Sequence, residues 1–309
     1  MSGLEPLLGG TRRAEADLSR IEMLLNTTSA EERVEIIDYV SRMGQTSVYV
    51  RELIQVIPLH ARHKIGNWRG TFTLGQRCAA IDALAALGAT ESIPVLVEAL
   101  ADSTYRVRQA AEKALVAIAA RLDAASPHNR AAVTALSAGL RSFSPGARKV
   151  VARILSVMPA DLVLGQLLFD SLSAEEWEAR RETAWVLGRL GDRRATMRLI
   201  ATLKDESAAV RSSAAWALGQ LDAPVAIQPL IEMLDDRDEA VRAAAVEALG
   251  AQIARLPDTD EQFRPTLDRL VDVLAIDHDP SVRTAVLEAL AAIDVPEVKI
   301  VLHEVLNGK

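Results

Sequence analysis

What constrains this chain most is an echo inside it. In residues 210–250, Val210-Arg211 with Leu218-Gly219 returns as Val241-Arg242 with Leu249-Gly250, 31 residues later. An Arg followed seven positions on by an apolar residue recurs as Arg33/Val40, Arg77/Leu84, Arg108/Leu115, Arg148/Leu155, Arg180/Leu187, Arg211/Leu218, Arg242/Leu249 and Arg283/Leu290. Most steps between these arginines are 31 or 32 residues, and the longer ones, from Arg33, Arg108 and Arg242, each hold an insertion. A period of this length means a stack of like units, each too small to bury its own apolar face.

With each Arg as position zero, positions −1, +3, +6, +7 and +10 are mostly small or apolar. At about 100° per residue they share one side of a helix, which becomes the core side. A second apolar segment precedes each such helix, as in IPVLVEAL (93–100), TMRLIATL (196–203), AIQPLIEML (226–234) and EVKIVLHEVL (297–306). The unit is therefore a helical hairpin. Composition agrees, since half the residues are apolar and only 4% aromatic, with Gly and Pro scarce. The predicted fold is all-α: a right-handed α-solenoid, or superhelix, of about eight stacked hairpins in one domain over residues 1–309. Residues 1–60 read as degenerate capping repeats, 59–76 as an insertion and 75–306 as regular repeats.

The pattern resembles HEAT repeats, in particular the short type named after the phycobilisome lyases, with its Asp, Val-Arg, Ala-Leu-Gly and Pro-Leu-Ile positions. Here these are Asp205, Val210-Arg211, Ala217-Leu218-Gly219 and Pro229-Leu230-Ile231, then Asp236, Val241-Arg242 and Ala248-Leu249-Gly250. The resemblance implies an Asp/Arg ladder between neighbouring repeats, involving Asp102/Arg108, Asp205/Arg211, Asp236/Arg242 and Asp277/Arg283. Ser142 and Ala174 stand where two of the aspartates belong, which leaves Arg148 and Arg180 free for other work on this reading. It also implies that the second helix of each hairpin lines a concave side.

Positions +1 and +5 point away from the core side. At +5 the chain has Asp38, Asp82, Lys113, Arg153, Trp185, Trp216, Glu247 and Glu288; at +1 it has Val34, Cys78, Gln109, Lys149, Arg181, Ser212, Ala243 and Thr284. Acids occupy both ends of this row, and Lys113, Lys149, Arg153 and Arg181 sit mid-row beside two tryptophans. Aromatic rings next to Arg on a small-residue surface are the usual material of binding hot spots. The insertion is a second candidate. No acid falls between Glu52 and Asp82, while His60, Arg62, His63, Lys64 and Arg69 surround Trp68 and Phe72. Such a loop suits a phosphate or an acidic peptide, or it folds over the end of the core with Trp68 and Phe72 as a plug.

Reaction machinery is hard to find. There is no phosphate-binding Gly loop, nucleophile elbow, HExxH or dinucleotide fingerprint, and no metal or cofactor is expected. No apolar run reaches the roughly 18 residues that cross a bilayer, the first residues do not read as a signal peptide, and Cys78 is alone. A cytoplasmic protein with no membrane partner is expected. Net charge of −7 argues against bulk nucleic-acid binding. The expected function is a non-catalytic scaffold or adaptor that grips a protein or peptide, one with a central acidic or apolar stretch, through Trp185, Trp216, Arg181, Arg153, Lys149 and Lys113. Two alternatives come from HEAT-like proteins: a nucleic-acid groove of the DNA-glycosylase kind, for which the row lacks a central acid, and a bilin lyase or lyase subunit, for which only the repeat type speaks.

Overall fold

A computed structural model of the chain describes residues 19–298, except for 28, 43–45, 58–61, 66–67, 123–126, 143 and 294–297. The chain divides into two compact units, Met1–Ile154 and Leu155–Lys309. Helices come in consecutive pairs, as the period requires. In the first unit residues 19–26 precede Ala30–Arg42, Thr46–Val56 precedes Leu74–Leu87, Ile93–Ala99 precedes Tyr105–Ala119, and Pro127–Ala138 precedes Pro145–Leu155. In the second, Ala160–Val163 and Gln166–Asp170 precede Trp177–Leu190, Thr196–Thr202 precedes Ala208–Gln220, Ile227–Met233 precedes Glu239–Ile253, and Phe263–Ile276 precedes Pro280–Ala291. Among the described residues each unit is thus an α-solenoid segment of four hairpins.

One stretch departs from the all-α expectation. Within the insertion, read from sequence as a loop, Arg62–Ile65 and Trp68–Thr71 form an antiparallel two-stranded hairpin, with Lys64 opposite Arg69 and Ile65 opposite Trp68. In the sequence, a Gly-Asn pair at 66–67 between short runs containing Ile, Trp and Thr is a hairpin signal that helical periodicity hides. The chain then re-enters the solenoid through buried Phe72 and a reciprocal cap. Thr73 Oγ1 accepts from the Gln76 amide (3.3 Å) while Gln76 Oε1 accepts from the Thr73 amide (2.9 Å), so the helix starts at Leu74. It ends at Gly88, whose φ of 66° only glycine adopts without strain; Gly191 closes the Trp177–Leu190 helix in the same way.

Inside the repeats the core side is the one the spacing predicts. Val210, Ala214, Ala217, Leu218 and Leu221 are all fully buried, as are Val241, Ala245 and Leu249 one period later. Position +10 of that later repeat is Gln252, a polar residue at 1% exposure, and its hydrogen bonds are complete. Its Nε2 donates to the Leu218 and Leu221 carbonyls (both 2.6 Å) and its Oε1 accepts from the Ala223 amide (3.2 Å), so it ties one repeat to the one before.

Successive second helices also approach unusually closely in the second unit. A Cβ added at Gly188 would lie 2.7 Å from Ala217 Cα, at Gly219 2.8 Å from Ala248 Cα, and at Gly250 2.7 Å from Ala289 Cβ. The glycine of the repeat is there to let the next helix in.

The ladder exists, with its partners shifted by one repeat. Arg180 reaches Asp205 through Nε (2.7 Å) and Nη2 (2.9 Å), Arg211 reaches Asp236 (2.7 and 2.8 Å), Arg242 reaches Asp277 (2.7 and 3.2 Å), and in the first unit Arg77 pairs with Asp102. Within a repeat the contact is to the Asp main chain instead: Arg108 Nη1 donates to the Asp102 carbonyl (2.7 Å), Arg211 to that of Asp205 (2.9 Å) and Arg242 to that of Asp236 (2.9 Å). Arg283 Nη1 uses the Leu274 carbonyl (2.6 Å). The carboxylate of each Asp also accepts an amide two residues on, fixing the turn before the helix (Asp205 to Ser207, Asp236 to Asp238, both 2.9 Å).

Two expectations are corrected here. Asp102, Asp205, Asp236 and Asp277 pair by carboxylate with the preceding repeat's arginine, not their own. Nor is either supposedly spare arginine available. Arg180 is buried, holds Asp205 and Glu206, and donates to the Ala174 and Glu175 carbonyls (2.8 Å each). Arg148 is buried too and donates to the Ser142 carbonyl (2.6 Å). The main-chain half of each rung needs only a carbonyl, which Ser142 and Ala174 supply as well as Asp does.

Candidate partner-binding groove

Trp177, Arg181 and Trp185 stand one turn apart along the Trp177–Leu190 helix, so they form a stripe on one face. Trp216 holds the slot of Trp185 in the next repeat. The two indoles stack with centroids 6.4 Å apart and planes within 11°, and both are half-buried. Close approach of the helices makes this possible. Trp216 lies over Gly188, where any Cβ would come within 2.8 Å of its ring.

Beside the indoles runs an open groove of about 870 Å³ lined by Arg181, Trp185, Trp216, Asp238 and Glu247 over a floor of Ala208, Ala209, Ser212, Ser213, Ala240, Ala243 and Ala244. The floor is less polar than its serines suggest. Ser212 Oγ donates to the Ala240 carbonyl (3.2 Å) and Ser213 Oγ to the Arg181 carbonyl (3.1 Å), so both hydroxyls are spent sewing neighbouring helices together. What remains facing outward is an aromatic shelf above methyl groups, the combination that gains most from excluding water.

The groove's charge differs from the sequence expectation. Arg181 is bound to the buried carboxylate of Glu182 (2.5 Å) and lies 5.5 Å above the Trp177 ring, a cation–π contact. Its charge is therefore largely matched from within. Asp238 caps the Glu239–Ile253 helix by accepting from the Ala240 amide (3.0 Å), and Glu247 is exposed with no ion pair among the described residues.

Of the predicted site residues, Trp185, Trp216 and Arg181 come together in the second unit. Lys113, Lys149 and Arg153 belong to the first, where all three are exposed on the Tyr105–Ala119 and Pro145–Leu155 helices, and Arg153 pairs with Glu112. Arg62, His63, Lys64, Trp68 and Arg69 lie on the β-hairpin, and His60 lies outside the described residues. Glu112, Trp177, Glu182 and Asp238 were missed by a row restricted to positions +1 and +5. Trp177 was findable, because it precedes Arg181 by one turn. Glu182 at +2 and Glu112 at +4 were not, since an acid at either position carries no sign of which cation it will meet.

Among the described residues no three His, Cys, Asp or Glu side chains gather as a metal-binding group, and no helix is long and apolar enough to cross a membrane.

Comparison with known proteins bears on the fold. Residues 165–250 match the family of HEAT repeats, residues 76–102 the PBS lyase HEAT-like repeat and residues 93–122 the HEAT repeat. No curated protein sequence matches the chain. Among solved structures it is similar to a chain of the complex of CpcE and CpcF of phycocyanin lyase from Nostoc sp. PCC7120, at 26% identity over 52% of this chain and 98% of that one, with a TM-score of 0.46. An engineered protein is 20% identical over 93% of this chain and 81% of its own, with a TM-score of 0.42. A chain of the Kap95:Nup1 complex is 13% identical over 89% of this chain and 40% of its own, with a TM-score of 0.52, a likeness of fold alone.

Proposed function

We propose that this chain, whose residues 76–122 and 165–250 match HEAT repeats, is a scaffold that acts without catalysis by holding a partner protein in the groove of its second unit. The carrying observation is the stacked, half-buried indole pair of Trp185 and Trp216 above a floor of alanines whose serine hydroxyls are already bonded. A stable fold gains little from leaving two large aromatic faces half open to water, whereas an incoming segment desolvates them at small entropic cost. Lys113, Lys149 and Arg153 belong to the first unit and are not among the residues that line this groove.

The nucleic-acid alternative is disfavoured by the same local charges. Glu112 and Glu182 offset two of the cations that this reading relied on, and Glu247 and Asp238 line the groove itself. For the lyase alternative, the repeat type at residues 76–102 names an architecture and supplies no reacting group.

The test is affinity capture from the native cell with the full chain, comparing Trp185→Ala/Trp216→Ala and, independently, Ala243→Arg, which obstructs the groove without touching the indoles. Loss of the same captured protein in both variants, with helicity retained by circular dichroism, is the expected outcome. Undiminished capture by Ala243→Arg and by a folded double-Trp variant would remove the groove from the reading.

A further inference from the structure

The lining of the groove also says what kind of segment it takes, provided the groove is the partner site proposed above. Its charged groups are three. Arg181 is matched by Glu182 at 2.5 Å and covered on one side by Trp177, so its positive charge is largely satisfied before any partner arrives. Asp238 feels the Arg211 guanidinium of the preceding repeat, whereas Glu247 is exposed with no ion pair among the described residues, and both come from the repeat after Trp216. Uncompensated charge in the groove is therefore negative, and it lies to one side of the aromatic shelf. A carboxylate at the edge of an apolar floor interacts more strongly with an incoming charge, once the partner covers the floor, than it would in open water.

Spacing limits the conformation of the occupant. The indole centroids are 6.4 Å apart, close to the roughly 6.6 Å spanned by residues i and i+2 of an extended chain, whose side chains face the same way. A helix offers i and i+4 at about 6 Å, but its diameter of about 10 Å would lift its far side clear of the alanine floor. Glu247 occupies the next slot in register after Trp185 and Trp216, one helix spacing of about 8–10 Å further on, or two to three more residues of extended chain.

We infer that the groove recognises an extended, cationic-apolar segment of a partner protein: apolar side chains at i and i+2 over Trp185 and Trp216, followed two to three residues later by Lys or Arg against Glu247 and Asp238. This reverses the charge preference expected from the sequence, which favoured an acidic or apolar centre. Arg181 belongs to the wall of the groove and does not select acidic partners.

The experiment is selection of a random-peptide display library on the full-length chain, with counter-selection on Trp185→Ala/Trp216→Ala. Expected are peptides in which two apolar residues at i and i+2 precede Lys or Arg. A synthetic peptide of that kind should bind about tenfold more weakly to Glu247→Gln at low salt and lose most of that difference at high salt. Glu247 is exposed and unpaired among the described residues, so this variant leaves the fold intact. Enrichment of acidic or neutral peptides, or binding indifferent to Glu247→Gln, overturns the charge preference while leaving the groove as a partner site. No enrichment over the counter-selected variant removes the groove reading as well.

Discussion

Three consecutive rungs, Arg180–Asp205, Arg211–Asp236 and Arg242–Asp277, cross the second half of the molecule, while among the described residues of the first half only Arg77–Asp102 has this form. Ser142 stands where the next carboxylate would serve Arg108, whose hydrogen bonds among the described residues go to the Asp102 and Ser103 carbonyls. Position +8 differs in parallel. It is Gly188, Gly219 and Gly250 in three successive repeats of the second half, each buried against the next helix, before the exposed Ala291; in the earlier repeats it is Ala85, half-buried, Val116, 47% exposed, and Ser156, buried. The same hairpin is thus closed tightly by two side-chain choices in one half and loosely without them in the other. The groove forms where the seams are tightest, because the two indoles stack only if the helices bearing them nearly touch.

The largest effect that probes this contrast comes from the rungs. Arg211→Ala leaves Asp236 buried without its cation and should cost about 3 kcal/mol, whereas Arg108→Ala, which removes hydrogen bonds to carbonyls and an exposed contact with the Tyr105 ring, should cost about 1 kcal/mol. Urea melts, with hydrogen exchange locating the loss, measure this; equal losses would erase the distinction between the halves. Acid reads the same rungs. At Asp205 and Asp236 burial pushes the carboxyl up but is outweighed by hydrogen bonds from Arg and from a turn amide, and at Asp277 the Arg242 hydrogen bond dominates, so all three are held below the usual carboxylate range. Folded values below the unfolded one mean a contribution fully present above about pH 4 and lost as pH falls through the depressed values. Exchange protection of the 177–291 helices should fall in that range, and the Arg108 seam should respond less.

Next comes the glycine slot. Gly219→Val forces a side chain onto the Ala248 backbone and should cost about 2–3 kcal/mol, while Val116→Ala, at an exposed position, should stay within about 0.5 kcal/mol. Thermal melting of the two variants sharpens the comparison; a tolerated Gly219→Val would show that the close approach is not needed. The smallest effect is a gain. Ser142 Oγ already accepts the Ser144 amide (3.3 Å) as the rung aspartates accept theirs, so Ser142→Asp should give Arg108 its missing partner. A rise of about 1 kcal/mol, or a few degrees in Tm, is expected, and it should vanish in the Ser142→Asp/Arg108→Ala double variant.

How much of this was legible beforehand depends on distance along the chain. Helix pairing, the buried stripe at Val210, Ala214 and Leu218, and the adjacency of Trp185 and Trp216 all follow from periodicity, because a repeat places equivalent residues side by side. The partners of charged side chains do not follow. Asp205 pairs with an arginine 25 residues before it rather than the one six residues after, and Arg181 and Arg153 find Glu182 and Glu112, which share no slot. Long flexible side chains choose among several neighbours by reach and burial, and that choice is made in three dimensions.

By itself, then, the amino-acid sequence determined the repeat, its helical hairpins, their core face and the row on which the tryptophans stand, since each rests on local spacing that any stacked arrangement of this chain must honour. The folded structure decided which of two carboxylates each arginine holds, that the insertion carries a β-hairpin, and that the groove's leftover charge is negative. Those are differences between competing partners of similar chemistry, and only the positions of neighbouring helices break the tie.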